Sequence, residues 1–144
     1  MDFVGARRNM IATQVKTAAV TDPLVVSAFE AVAREAFVPT NQRPFAYMDE
    51  DLPVGKGRCA MEPAVLARLL QLADVQQGDC ALVTAAGSCY SAAVLAQMTA
   101  PVVAVDSDPA VLGLARQACA AVGAAVTVVG NDPRAGCPER GPFD

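Results

Sequence analysis

The sequence predicts an α/β protein: N-terminal helices followed by the first βαβαβ half of a doubly wound parallel sheet. Two observations carry this prediction. The stretch from Cys80 to Asp106 reads as an apolar run of strand length, a break at small residues, a helical run from Ser91 to Met98, and a β-branched run, Val102-Val103-Ala104-Val105, that ends in an acid. Two parallel strands need such a crossover, and it is nearly always right-handed. The pattern then repeats, with a helix from Asp108-Pro109 to Gly123 and a third apolar strand from Val126 to Val129.

Taken in order, the chain opens with a helix from Asp2 to about Lys16, where Phe3, Ala6, Met10, Ile11 and Val15 recur near the helical period and form a packing face. Asp22-Pro23, an N-cap followed by proline in the first turn, announces a second helix. Its stripe of Val25, Val26, Phe29 and Val32 runs toward Phe37 and ends at Pro39. Thr40 to Gly57 has no regular period and carries Pro44, Pro53, Gly55 and Gly57, so a long surface loop is expected there. Its acids Asp49-Glu50-Asp51 are adjacent in sequence, which suits a solvated charge run better than a metal site. Glu62-Pro63 opens a third helix through Leu66, Leu69, Leu70 and Leu72, closed near Gly78. After the third strand come Gly130-Asn131-Asp132 and a turn-rich end at Gly141-Pro142-Phe143-Asp144. Residues 1–78 thus read as a helical region with a loop on the substrate side, and residues 79–144 as the ligand-binding half of one domain.

Composition narrows the function. At 144 residues and 53% hydrophobic, the chain can bury a core. A net charge of −4 argues against a nucleic-acid partner held through phosphates, and Arg7, Arg8 and Lys16 read as a solvated helix face. No window approaches the roughly 18 apolar residues of a membrane span, and the expected setting is cytoplasmic. The 5 cysteines contain no Cys-x-x-Cys pair, and there is no histidine, so neither a zinc site nor an imidazole base is expected. Cys80, Cys119 and Cys137 read as small buried apolar residues.

The turn after the first parallel strand carries the functional signal. In nucleotide-binding βαβ units this turn is built of small residues, so that the backbone can approach a ligand at the helix N-terminus. Ala85, Gly87 and Cys89 stand where glycines usually alternate. An acid at the tip of the second strand can accept hydrogen bonds from ribose hydroxyls, and Asp106 lies 19 residues after Gly87. An ordinary βα turn whose Asp merely ends a strand has the same local signature. The sequence supplies no fourth strand, which would leave Ala81-Leu82-Val83 as an open apolar edge. The expectation is that the chain is truncated, or that another chain or segment completes the sheet.

An ordered set of short motifs points further. These are Met10 and Gln14, Thr21-Asp22-Pro23, Arg34-Glu35-Ala36-Phe37-Val38-Pro39, Ala46 through Gly55, Gly87 through Ala96, and Gly136-Cys137-Pro138-Glu139 leading to Pro142-Phe143-Asp144. Together they resemble the protein-L-isoaspartate O-methyltransferases, from about Arg7 to Asp144. The resemblance implies a Rossmann-like methyltransferase sheet, S-adenosyl-L-methionine as cofactor, and an isoaspartyl-containing protein or peptide as the substrate of a protein-repair reaction. It also implies a cofactor site of Ala85, Gly87, Ser88 and Cys89 under the methionine part, Asp106 on the ribose and Asp132 on the adenine amine.

The sequence departs from the family pattern at several of these places. Val83 stands where the family has an acid, Ala85 and Cys89 replace two glycines, and Met61 occupies the position of an active-site hydroxyl. These departures keep two other readings open: a methyltransferase of altered acceptor, with Arg58 and Glu62 near the acceptor, and a non-catalytic relative that binds an adenosyl ligand or a protein partner. A nicotinamide dinucleotide would also suit Asp106, but the flanking family motifs speak against it.

Overall fold

The computed structural model describes residues 1–144. Three parallel strands, β3 (Ala81–Thr84), β4 (Val102–Asp106) and β5 (Val126–Gly130), form a sheet in the order β3-β4-β5, with Ala81 opposite Val102 and Val102 opposite Val126. Helix α4 (Tyr90–Leu95) connects β3 to β4, and α5 (Pro109–Val122) connects β4 to β5. Right-handed crossovers between strands added in sequence order place both helices on one face. Accordingly Ala92, Ala93, Val94, Ala115, Ala118 and Cys119 share one apolar core with Val102 and Ala104. Val103 and Val105 point to the other face, where Cys137 and Phe143 of the C-terminal segment cover them.

The N-terminal helices complete that core. Helix α1 (Phe3–Met10), capped by Asp2 through the Gly5 amide at 2.9 Å, continues as a wider turn over Ile11–Val15 and a tight one to Ala18. Met10, Ile11 and Val15 are buried, as their spacing predicts. Helix α2 (Pro23–Ala31) starts at the Asp22 cap, whose carboxylate accepts from the Leu24 amide at 2.8 Å. It stops earlier than the apolar stripe suggests. Val32 is extended, and Arg34–Phe37 forms a separate short 3-10 turn. The reason is Arg34, which is fully buried. Nε donates to the Ala46 carbonyl at 2.7 Å and one terminal amine to the Met61 carbonyl at 2.9 Å, so the backbone must leave the helix to present them.

The expected long loop is also corrected. Thr40–Phe45 is a 3-10 segment, and an antiparallel hairpin follows from β1 (Leu52–Gly55) and β2 (Arg58–Ala60). Leu52, Val54 and Ala60 bury one face of the hairpin with Val38 and Ala46 in a second, smaller core. Gly55 lets it settle on α5, since a Cβ there would come within 2.7 Å of Val111 Cγ2. The exposed acids Asp49 and Asp51 serve α3 (Pro63–Leu72), Asp51 accepting from the Glu62 amide at 2.9 Å and Asp49 from that of Ala64 at 3.4 Å. Helix α3 ends at Leu72, short of Gly78, because Asp74 takes a left-handed conformation with φ 49°. No helix is long and apolar enough to cross a membrane.

Candidate functional site

The C-terminal ends of the parallel strands are where the sequence-predicted residues gather, as open α/β sheets place their ligand sites. The turn leaving β3 is held by the Ala86 amide on the Val105 carbonyl, 3.0 Å, and by the Cys89 amide on the Ala86 carbonyl, 2.9 Å. Ala85, Gly87 and Cys89 all adopt left-handed backbone, with φ of 51°, 56° and 68°. These are the three positions at which glycine alternation was expected. The turn therefore keeps a glycine-type conformation in spite of two added side chains. A non-glycine residue in that region is strained by about 1 kcal/mol, so the rest of the fold must impose the shape.

Asp106 closes the turn from β4. It is 1% exposed, and its Oδ2 accepts from the Gly87 amide at 3.0 Å while Oδ1 accepts from those of Ser107 at 2.7 Å and Asp108 at 3.1 Å. Arg58 of the hairpin reaches the same group, Nε to Oδ2 at 2.9 Å and one terminal amine to Oδ1 at 3.3 Å. Burial alone would raise the Asp106 carboxyl, but the guanidinium and the three amides outweigh it and hold the group below the ordinary carboxylate range. Arg58 thus lies on the acid and does not face an acceptor beside Glu62. Nothing in one dimension signals this pairing, because the two residues are 48 apart in sequence.

Asp132 lies two residues past Gly130, the β5 partner of Asp106. It is exposed and paired with Arg134 of its own turn at 2.8 Å, which lowers its carboxyl below the usual range.

A cavity of about 290 Å³ opens on the other side of the turn. Ala85, Ala86 and Ser88 line it together with Met61, Thr84 and Tyr90, and most of its wall is apolar. Asp106 is not part of that wall, so the turn stands between an apolar cavity and the acid. Met61 sits on the rim, 39% exposed, and its thioether donates no hydrogen bond. Thr84 and Tyr90 are cavity residues that the sequence did not single out. Both flank the turn, so a search along β3 and the first residue of α4 would have reached them. Cys89 is buried beside Cys119, and the hydrogen bond to that neighbour, together with burial, pushes its thiol up, away from a reactive thiolate.

Comparison with known proteins shows the family to which the chain belongs. The family model described as protein-L-isoaspartate(D-aspartate) O-methyltransferase matches residues 6–144. The chain belongs to that family. Among its relatives, a protein-L-isoaspartate O-methyltransferase 1 of Rhodopseudomonas palustris (strain HaA2) is 37% identical over 143 residues, covering 99% of this chain and 58% of its own length. One from Methylorubrum extorquens (strain PA1) is 38% identical over 143 residues, covering 99% of this chain and 63% of its own. The chain therefore spans about three fifths of the length of these relatives. A solved protein-L-isoaspartate O-methyltransferase superposes with a TM-score of 0.85 at 24% identity, over 96% of this chain and 46% of that one. A putative Plasmodium falciparum member, solved in complex with S-adenosyl-L-homocysteine, superposes with 0.71 at 15% identity, over 91% of this chain and 63% of that one. Both structures share the fold of this chain.

Proposed function

We propose that the chain carries the adenosyl-binding part of an S-adenosyl-L-methionine-dependent methyltransferase, acting on the carboxylate of L-isoaspartyl residues in damaged proteins. The observation that supports this most is the contact between the Gly87 amide and Asp106 Oδ2. It ties a turn of three left-handed small-residue positions to an acid at the tip of the adjacent parallel strand. In this reading Asp106 accepts from the ribose, Ala85, Gly87, Ser88 and Cys89 pass beneath the methionine part, and Asp132 stands at the adenine end. Residues 1–78 supply the acceptor side and residues 79–144 the cofactor side.

The residues present fit such a ligand in kind, since the turn keeps its shape and the acid stays ionised at neutral pH. The sulfonium of the bound cofactor supplies an activated methyl group, which asks for positioning of the acceptor oxygen more than for acid–base help. The chain's task is then to seat the two partners and exclude water. The apolar cavity beside Ala85 and Ser88 suits that task, with the Thr84, Ser88 and Ser91 hydroxyls among its polar groups. The setting proposed is cytoplasmic, in keeping with 5 unpaired cysteines.

The test is transfer of a labelled methyl group from S-adenosyl-L-methionine to an isoaspartyl peptide, with the normal aspartyl peptide as control. Labelling of the isoaspartyl peptide alone is expected, and loss of it in Asp106→Ala. No label in either peptide would overturn the catalytic reading. Met61, without a hydroxyl on the cavity rim, specifically favours a second reading, that of a non-catalytic relative which binds the adenosyl ligand without transferring its methyl.

The sheet edge belongs to the same proposal. The Asp144 amide donates to the Cys80 carbonyl at 3.0 Å, and the Cys80 amide donates to the Asp144 carboxylate at 2.8 Å. We infer that the edge of β3 is a pairing edge, to be covered by another strand in the assembled protein.

A further inference from the structure

Asp106 is more heavily bonded than a ribose-binding acid should be. A carboxylate offers about four lone-pair sites. On Oδ1 the Ser107 and Asp108 amides occupy two, and on Oδ2 the Gly87 amide occupies one. These three donors belong to the turn and the strand end, and they are fixed by the backbone. The remaining site, on Oδ2, is filled by Arg58 Nε at 2.9 Å, and the guanidinium adds a longer contact to Oδ1 at 3.3 Å.

Arg58 differs from the other donors in three ways. It comes from the hairpin, a separate element with its own small core. Its side chain is 27% exposed, whereas that of Asp106 is 1% exposed, so it can return to water at little cost. It also lies directly over the turn, since a Cβ built on Gly87 would be 3.9 Å from Arg58 Cβ and 3.8 Å from the Cys59 carbonyl.

We propose that Arg58 is a latch that competes with the adenosyl ligand: the hairpin closes over the turn, its guanidinium holds the acceptor site that the ribose needs, and ligand entry requires Asp106 to exchange partners. The proposal rests on the adenosyl reading given above and adds a residue that sets affinity. An acid left without either partner would be a buried charge held by its three backbone amides alone, so Arg58 steadies the empty site while weakening the filled one. Release of Arg58 leaves a cation at the mouth of the site, beside residues that line the cavity, once the cofactor is seated.

Calorimetric titration with S-adenosyl-L-homocysteine tests this on the folded protein, on Arg58→Ala and on Arg58→Gln. Both variants are expected to bind about twofold to fivefold more tightly than the wild type, the order of a partly exposed ion pair. Raising salt from about 50 mM to about 500 mM screens such a pair. It should tighten binding by the wild type and leave the variants, which lack the pair, nearly unchanged. The salt titration needs no substitution, so it stands even if one variant does not fold. Equal or weaker binding by both variants, with no tightening of the wild type in salt, would overturn the latch and leave the adenosyl reading intact. Absence of binding by wild type and variants at every salt concentration would overturn the adenosyl reading itself, and the latch with it.

Discussion

Arg34 is the side chain whose burial the fold supports most heavily. It has no carboxylate partner. Its Nε and one terminal amine donate to the carbonyls of Ala46, Ala60 and Met61, the other terminal amine is buried without a hydrogen-bond partner, and the group lies 4.7 Å from the centre of the Tyr90 ring. Burial lowers its pKa, and the neighbouring tyrosines oppose that shift. Arg34→Ala would strand three carbonyls and open a cavity beneath the hairpin, so a loss of about 3 kcal/mol is expected in urea unfolding. A loss below about 1 kcal/mol would show that the hairpin does not depend on it.

The two strained residues of the turn should respond differently. Ala85 is exposed, so Ala85→Gly relieves the left-handed strain at little packing cost and should stabilise by about 0.5–1 kcal/mol. Cys89 is 1% exposed in the core, so Cys89→Gly loses more burial than it gains in strain relief and should destabilise by about 1 kcal/mol. Thermal melts of the two variants should therefore move in opposite directions. Asp106 gives the pH dependence. Its folded pKa lies below the unfolded value of about 3.9, so its contribution is complete above about pH 5 and is lost as pH falls through the folded value. The stability gap between wild type and Asp106→Asn, followed by urea midpoints across pH, should be widest near neutrality and shrink below about pH 4.

At the scale of elements, what could be read from the sequence depended on local chemistry. The Asp22-Pro23 and Asp108-Pro109 caps, and Gly123 in left-handed conformation after α5, are local signals, and the structure follows them closely. The β1–β2 hairpin was not legible, because strands of 4 and 3 residues containing Pro53 and Gly55 give no period to detect. The end of α2 was missed for another reason. The apolar spacing of Val25, Phe29 and Val32 continues past Ala31, but the contacts that stop the helix are Arg34's bonds to residues 12 to 27 positions away. The parallel sheet was legible strand by strand, and its pairing permits a sharp test. The Ala81 amide donates to the Pro101 carbonyl, so Ala81 and Val83 face β4, while Leu82 and Thr84 face the free edge. Hydrogen exchange should find the Leu82 and Thr84 amides fast, and those of Val83 and of β4 slow. Protection of Leu82 and Thr84 would mean that something already pairs with that edge.

At the scale of the whole molecule, the candidate site was legible as a list of positions but not as a geometry. The sequence named Ala85, Gly87, Ser88, Cys89 and Asp106 from spacing and from a family resemblance, and it placed Asp132 beyond the third strand. It did not reveal that the hairpin sets Arg58 on Asp106, nor that the turn divides an apolar cavity, with Met61 on its rim, from the acid. Both facts come from packing one half of the chain against the other, through the hairpin on α5 and on the turn. The account's central claim is that an adenosyl ligand binds at the junction of that turn and the tip of β4. The most direct measurement is the amide correlation spectrum of nitrogen-labelled protein titrated with S-adenosyl-L-homocysteine. Saturable shifts centred on Gly87, Ser88, Ser107 and Asp108, with Arg58 moving in step, are the expected result. Shifts confined to other parts of the molecule, or none at saturating ligand, would contradict it.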